Sequence, residues 1–368
     1  MKRYRWLLGC CLFLSIGMLW AADEPDLRML QQKAAQSRDM EGYVGVCKYL
    51  YQTEENPELL LLYADSIHQL ATKSKKPEQL VEYYIWASEG NFIKGDFQQG
   101  YALKRKAIAL AEKAGLKFAI SQSCCDMGYY CNVDARYDSA RYYFRKGLEA
   151  GEDLSEAGEA CRTMLTNYAS SFLFEGKTDS ALVYTIRASE RSAADKDTAM
   201  LIENLNQLGT IYRRKKNLEN CIANFEQALH LCELRGNHNA VAFIYGNIAT
   251  AYCDWNRPVD AIPFSEKAVE YALKTGNKRR IGTCYVNLGA IQIRLVQMRA
   301  EGIATLLKAI PILEEVNDRR LLCDAYNYLV NAYRMDGNLN QAMYYLQKLD
   351  KLAHEMQTDA ERFRYYQA

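Results

Sequence analysis

Histidine and proline are both scarce in this 368-residue chain, at 4 and 6 residues. The histidines, His68, His230, His238 and His354, are scattered, and His230 stands two residues from Cys232, a spacing that turns the two side chains apart on a helix. No cluster of imidazoles is therefore available for a metal or a proton relay. There is no G-x-S-x-G, no H-E-x-x-H and no glycine-rich phosphate loop, so the residue sets of the common hydrolases, zincins and nucleotide binders are missing. The expectation is no catalytic residue, no metal ligand and no cofactor. Charge of one sign is also lacking. The formal net charge is +1, and removing a leader that carries Lys2, Arg3 and Arg5 leaves it slightly negative, which gives no basic footprint for nucleic acid. Beyond the N-terminus no apolar run approaches the ~20 residues of a spanning helix. With 49% apolar and 25% charged residues and so little proline, the composition suits helices throughout.

Cysteine is the exception to this economy. Ten of the 12 lie beyond the leader: Cys47, Cys124, Cys125, Cys131, Cys161, Cys221, Cys232, Cys253, Cys284 and Cys323. None forms a C-x-x-C pair, and Cys124-Cys125 is vicinal on a predicted helix. Most are expected to be small core residues.

Met1 to Arg5 is basic, Trp6 to Trp20 is apolar, and Ala21-Ala22 precedes the acidic Asp23-Glu24. This is the pattern of a secretory signal peptide over residues 1–22, with an uncleaved anchor as the alternative. The chain is expected outside the cytosol, most simply in a periplasm, with its mature start near Asp23. Residues 23–73 read as helices of weaker pattern. Asn56-Pro57 marks one helix start, with proline in the first turn. Residues 74–357 read as a repeat array, and 358–368 as a short capping or truncated helix.

The array can be counted. Gly100, Ala140, Ala181, Cys221, Ala261, Gly302 and Ala342 recur at steps of 40, 41, 40, 40, 41 and 40. A second small slot holds Gly128, Ala169, Gly209, Ala249, Gly289 and Val330. Three residues further come Cys131, Phe172, Tyr212, Tyr252, Gln292 and Tyr333. Each period contains two amphipathic helical patterns. Leu205, Leu208, Ile211 and Tyr212 lie on one, and Leu218, Cys221, Ile222, Phe225, Ala228, Leu229 and Cys232 on the other. A hairpin of this kind cannot bury both faces alone, and a period of this size means a solenoid.

These residues resemble the tetratricopeptide repeat: Leu208-Gly209-x-x-Tyr212, Phe225-x-x-Ala228-Leu229, and Ala261 with Ala268. The usual repeat is about 34 residues. The longer period is similar to the extended-helix variant of kinesin light chain and of bacterial peptide-sensing regulators. The resemblance covers Pro57 to Glu355. It implies an all-α, right-handed superhelical solenoid of about seven antiparallel helix pairs, with the first helix of each pair lining the concave groove. Gln292, Thr185 and Ser265 depart from the aromatic slots, and one residue is inserted near Met298-Arg299. Those repeats are expected to pack less regularly.

Two residues before the first-helix small slot stand Asp126, Asn167, Gln207, Asn247, Asn287 and Tyr328, all able to hydrogen-bond. Constant stacking would turn the slot into a ladder. One residue past the small slot stand Tyr129, Ser170, Thr210, Thr250, Ala290 and Asn331, and near the helix ends Arg213, Arg214, Arg294 and Arg334. By resemblance, Asn and Arg in such slots hold peptide backbone and carboxylate groups. An arginine fork suits a carboxylate. The plainer reading is that the amides satisfy neighbouring helices and that Arg213 to Lys216 is a solvated run. The expected function is an exported, non-catalytic scaffold whose partner is a peptide or protein segment. The alternatives are the sensor portion of a signalling assembly with a separate output chain, and an enzyme with an unrecognised site.

Overall fold

A computed structural model describes residues 27–53 and 56–354; the leader and the segment 358–368 lie outside the described residues. Helices account for nearly all of them. The run begins with α1 (Leu27–Ser37), α2 (Met40–Thr53) and α3 (Pro57–Ser74). It continues through α4 (Pro77–Lys94), α5 (Phe97–Lys113), α6 (Lys117–Val133), α7 (Tyr137–Gly151), α8 (Gly158–Phe174) and α9 (Thr178–Ala194). Then come α10 (Thr198–Arg214), α11 (Leu218–Leu234), α12 (His238–Asp254) and α13 (Pro258–Thr275). The last are α14 (Lys278–Gln292), α15 (Arg299–Glu315), α16 (Arg319–Met335) and α17 (Leu339–His354). Even-numbered helices are the first of each pair and odd-numbered helices the second.

The starts are capped by short polar side chains. Asn56, Asp96, Asn217, Asn237, Asn277 and Asp318 each accept a hydrogen bond from the main-chain N–H three residues on, satisfying a donor that the helix itself cannot. The stops are as regular. From Lys75 onward, left-handed residues fall at Lys75, Gly95, Gly115, Ala135, Gly176, Lys196, Lys216, Gly236, Asn256, Gly276, Asn317 and Gly337. The step is 20 throughout, except for 41 between Ala135 and Gly176 and between Gly276 and Asn317. Each long step holds a single 3₁₀ turn, Ser155–Ala157 or Val296–Met298. The two extra residues counted in the sequence are therefore absorbed in turns and leave the helices in register. Pro263 and Pro311 lie inside continuous helices, α13 and α15.

The chain divides into two compact units, residues 1–204 and 205–368, with the boundary inside α10. Within unit 1, first helices of neighbouring repeats touch, α2 with α4 and α6 with α8; within unit 2, α12 touches α14 and α14 touches α16. The first helices thus form the closely set row of each unit.

How a first helix meets its own second helix alternates along the chain. In one arrangement the first-helix small slot is glycine and a large side chain four residues past the second-helix small slot fills it. Phe144 rests on Gly128, Phe225 on Gly209 and Leu306 on Gly289. A Cβ added to Gly209 would come within 2.5 Å of the Phe225 ring, which is fully buried. In the other arrangement the small slot is Ala169, Ala249 or Val330, so a Cβ already occupies that space. The ring then moves back one residue on the second helix and stacks on the first-helix aromatic. Tyr184 lies on Phe172 at 5.3 Å, Phe264 on Tyr252 at 5.3 Å and Tyr345 on Tyr333 at 5.8 Å between ring centroids. Thr185 and Ser265 depart from the aromatic slot because the ring has moved to their neighbour. The irregularity expected of those repeats is a second regular arrangement.

Candidate functional site

In unit 1 the slot four residues past Gly100 holds Lys104, where Phe144 and Phe225 stand in later repeats. Its side chain is fully buried. The ammonium bonds Glu89 of α4 at 2.5 Å and Asp126 of α6 at 2.9 Å, and Tyr130 donates to the other Glu89 oxygen at 2.6 Å. Burial works against the charge on Lys104, but Asp126 and Glu89 outweigh it and hold its pKa above the usual lysine value. Burial pushes the Glu89 carboxyl up, against the pull of Lys104. Asp126 is thus committed on one side to a lysine that sequence reading passed over. The signal was there: the aromatic register, carried back one repeat, lands on Lys104. Asn167, the next rung, is 1% exposed and turned into the stack, where α6 and α8 close over it. Asn132 donates to its main-chain oxygen at 3.0 Å, while its own Oδ1 has no partner among the described residues. It is not a ready contact for a ligand, because neighbouring first helices leave it no surface.

In unit 2 the rungs differ in depth. Gln207 is 9% exposed. Asn247 donates to Asn206 Oδ1 at 2.7 Å, tying α12 to α10. Ser170 in unit 1, and Thr210 and Thr250 in unit 2, each bond a carbonyl one turn back in their own helix. Those side chains follow the plainer reading. Asn287 and Tyr328 are exposed. Arg213 lies 3.5 Å from Asp254, and Arg334 bonds Asn331 at 3.1 Å, so these two face local partners. Arg214 is exposed.

Arg294 is different. It follows the end of α14, is exposed, and has no carboxylate within salt-bridge distance among the described residues. Its guanidinium reaches Cys253 of α12, where it opposes the burial that raises that thiol's pKa. It also acts on the Tyr328 hydroxyl of α16, which burial and Asp324 push up. One arginine in the turn after α14 thus acts on side chains of both α12 and α16.

The cysteines are core residues. Nine of the ten are buried and Cys253 is half-buried, and they carry no disulfide among the described residues. Burial raises Cys47, Cys124 and Cys232 to about 12, and Cys131, Cys221 and Cys284 to about 11, which leaves them protonated at neutral pH. Among the described residues no three His, Cys, Asp or Glu are grouped to hold a metal ion, and no helix is long and apolar enough to cross a membrane.

Residues 198–274 match the tetratricopeptide-repeat family model. Solved structures of the same architecture cover almost the whole chain. The apo form of RapI superposes with a TM-score of 0.63 at 11% identity, over 96% of this chain and 97% of that one. The apo quorum sensor NprR from B. thuringiensis gives 0.58 at 16%, over 95% and 97%. This is a tetratricopeptide-repeat fold. Yeast Tom70, at 0.60 and 16% identity, covers 98% of this chain and 67% of its own. At these identities the likeness is one of architecture. No curated protein sequence matches the chain.

Proposed function

We propose that this chain is an exported, non-catalytic scaffold that holds an extended peptide or protein segment against the first-helix row of unit 2. The observation that carries the reading is Arg294: an exposed guanidinium without a carboxylate partner among the described residues, within electrostatic reach of the Tyr328 hydroxyl, with the exposed Asn287 on the helix before it. Such a fork is suited to an acidic side chain or a terminal carboxylate, and side-chain amides suit a peptide backbone. Export is supported by the basic-then-apolar leader. N-terminal sequencing of the native protein is expected to begin near Asp23; intact Met1 in a cytosolic fraction would remove the export part of the proposal.

The binding part is tested by peptide-display selection against the full chain, followed by titration calorimetry on the minimal selected peptide. Arg294→Ala is expected to weaken it about tenfold to hundredfold, the loss of one charge-assisted bond. Asn287→Ala is expected to weaken it less. Both side chains are exposed, so the melting temperature should hold. Full binding by both variants, with loss instead on changing the outward-facing Glu266 or Lys267 of α13, places recognition on the second helices.

A further inference from the structure

The Lys104 cluster in unit 1 has unequal charges. One ammonium faces two carboxylates. Glu89 has both oxygens engaged, by Lys104 and by Tyr130. Asp126 spends only one: Oδ2 accepts from Lys104, while Oδ1 has no side-chain partner among the described residues and the side chain is 25% exposed. Asp126 is thus only half engaged and partly exposed, where Glu89 is fully engaged and buried. A cation at Asp126 Oδ1 would engage the second oxygen by a charge-assisted bond, as Lys104 engages the first.

We propose that Asp126 is the recognition point of a subsite on unit 1 for a cationic group of a bound peptide, an ammonium or guanidinium. Lys104 is the internal half of the site. It holds the Asp126 carboxylate by Oδ2 and leaves Oδ1 without a side-chain partner among the described residues, and it is itself held by Glu89, which Tyr130 braces. The subsite rests on the reading of the first-helix row as a peptide-binding face, but uses residues that the Arg294 test does not touch.

The probes are three capped pentapeptides, Gly-Gly-X-Gly-Gly, with X as lysine, norleucine or glutamate. They are titrated into full chain labelled with carbon-13 at methionine methyls, reading Met127 on α6 and Met164 on α8. The lysine peptide is expected to give saturable shifts at both methyls, and the norleucine and glutamate peptides to bind about tenfold more weakly or worse. Asp126→Asn keeps an acceptor for Lys104 but removes the charge; it should lower lysine-peptide affinity by about tenfold. Because even this change could disturb the buried cluster, glutamate at X is the second control, since it tests sign without altering the protein. Norleucine binding as tightly as lysine, lysine affinity indifferent to Asp126→Asn, or no shift with any peptide overturns the subsite. If that happens while Arg294→Ala still weakens the selected peptide, the subsite falls and the binding reading stands. Lysine-peptide binding through Asp126 with no dependence of the selected peptide on Arg294 gives the reverse.

Discussion

Lys104→Met is expected to destabilise unit 1 by about 3–5 kcal/mol, the usual cost of taking one partner from a buried ion cluster. Methionine fits the volume, so the loss is not one of packing. It comes from leaving Glu89 and Asp126 facing each other, one of them buried, with nothing between. Urea unfolding of the chain from residue 23 onward measures it, because each unit then carries one tryptophan, Trp86 in unit 1 and Trp255 in unit 2. Separate reporters matter where two units need not unfold together. The Trp86 transition should move and the Trp255 transition should not. The triple change of Lys104→Met, Glu89→Gln and Asp126→Asn should recover most of the loss, because it removes the orphaned charges as well. A shift below about 1 kcal/mol for the single change would mean that the cluster stays solvated.

Gly209→Leu is the counterpart in unit 2, with an expected cost of about 1–3 kcal/mol from overpacking. Even the Cβ would meet the Phe225 ring, and that ring has no exposed side toward which to yield. The alternation between repeats offers a sharper form of the test. Gly209→Ala alone should destabilise. Gly209→Ala with Phe225→Thr and Asn224→Tyr should recover stability, because the ring introduced at position 224 would then stack on Tyr212 as Tyr184 stacks on Phe172. The Trp255 transition is again the readout. An unchanged midpoint for Gly209→Leu, or a triple change worse than Gly209→Ala, would contradict the two-arrangement account.

The period and the helix pairs were legible because they are written in residue size. A glycine or alanine every 40 residues is a close approach, and no other explanation fits several registers at once. The meaning of Thr185, Ser265 and Gln292 was not legible, because each was judged against one aromatic position. The compensating ring was one residue away in two cases, and Gln292 is answered by Thr305 across the pair at 2.8 Å. The ladder was half legible for a similar reason. A shared slot fixes direction but not depth. Asn167 and Asn287 stand in the same register, yet one is sealed by its neighbours and the other is open. Depth depends on side chains from the adjacent repeat, which no single repeat displays. Lys104 was missed because a lysine on an amphipathic helix is read as solvent-facing, and its partners are 15 and 22 residues away.

The alternation of glycine-seated and stacked rings has a bearing on how such a chain can be copied. Two adjoining hairpins, not one, are the smallest stretch that reproduces its surroundings when duplicated or cut out. Removing a single hairpin between Gly236 and Gly276 would keep the turns in step, yet would set two glycine-seated pairs side by side. Losing or gaining a pair of hairpins restores like to like at both joints. Length variants of this chain are therefore expected to differ by even numbers of hairpins, much as a woven pattern with a two-thread repeat can be lengthened only by whole repeats without showing a seam.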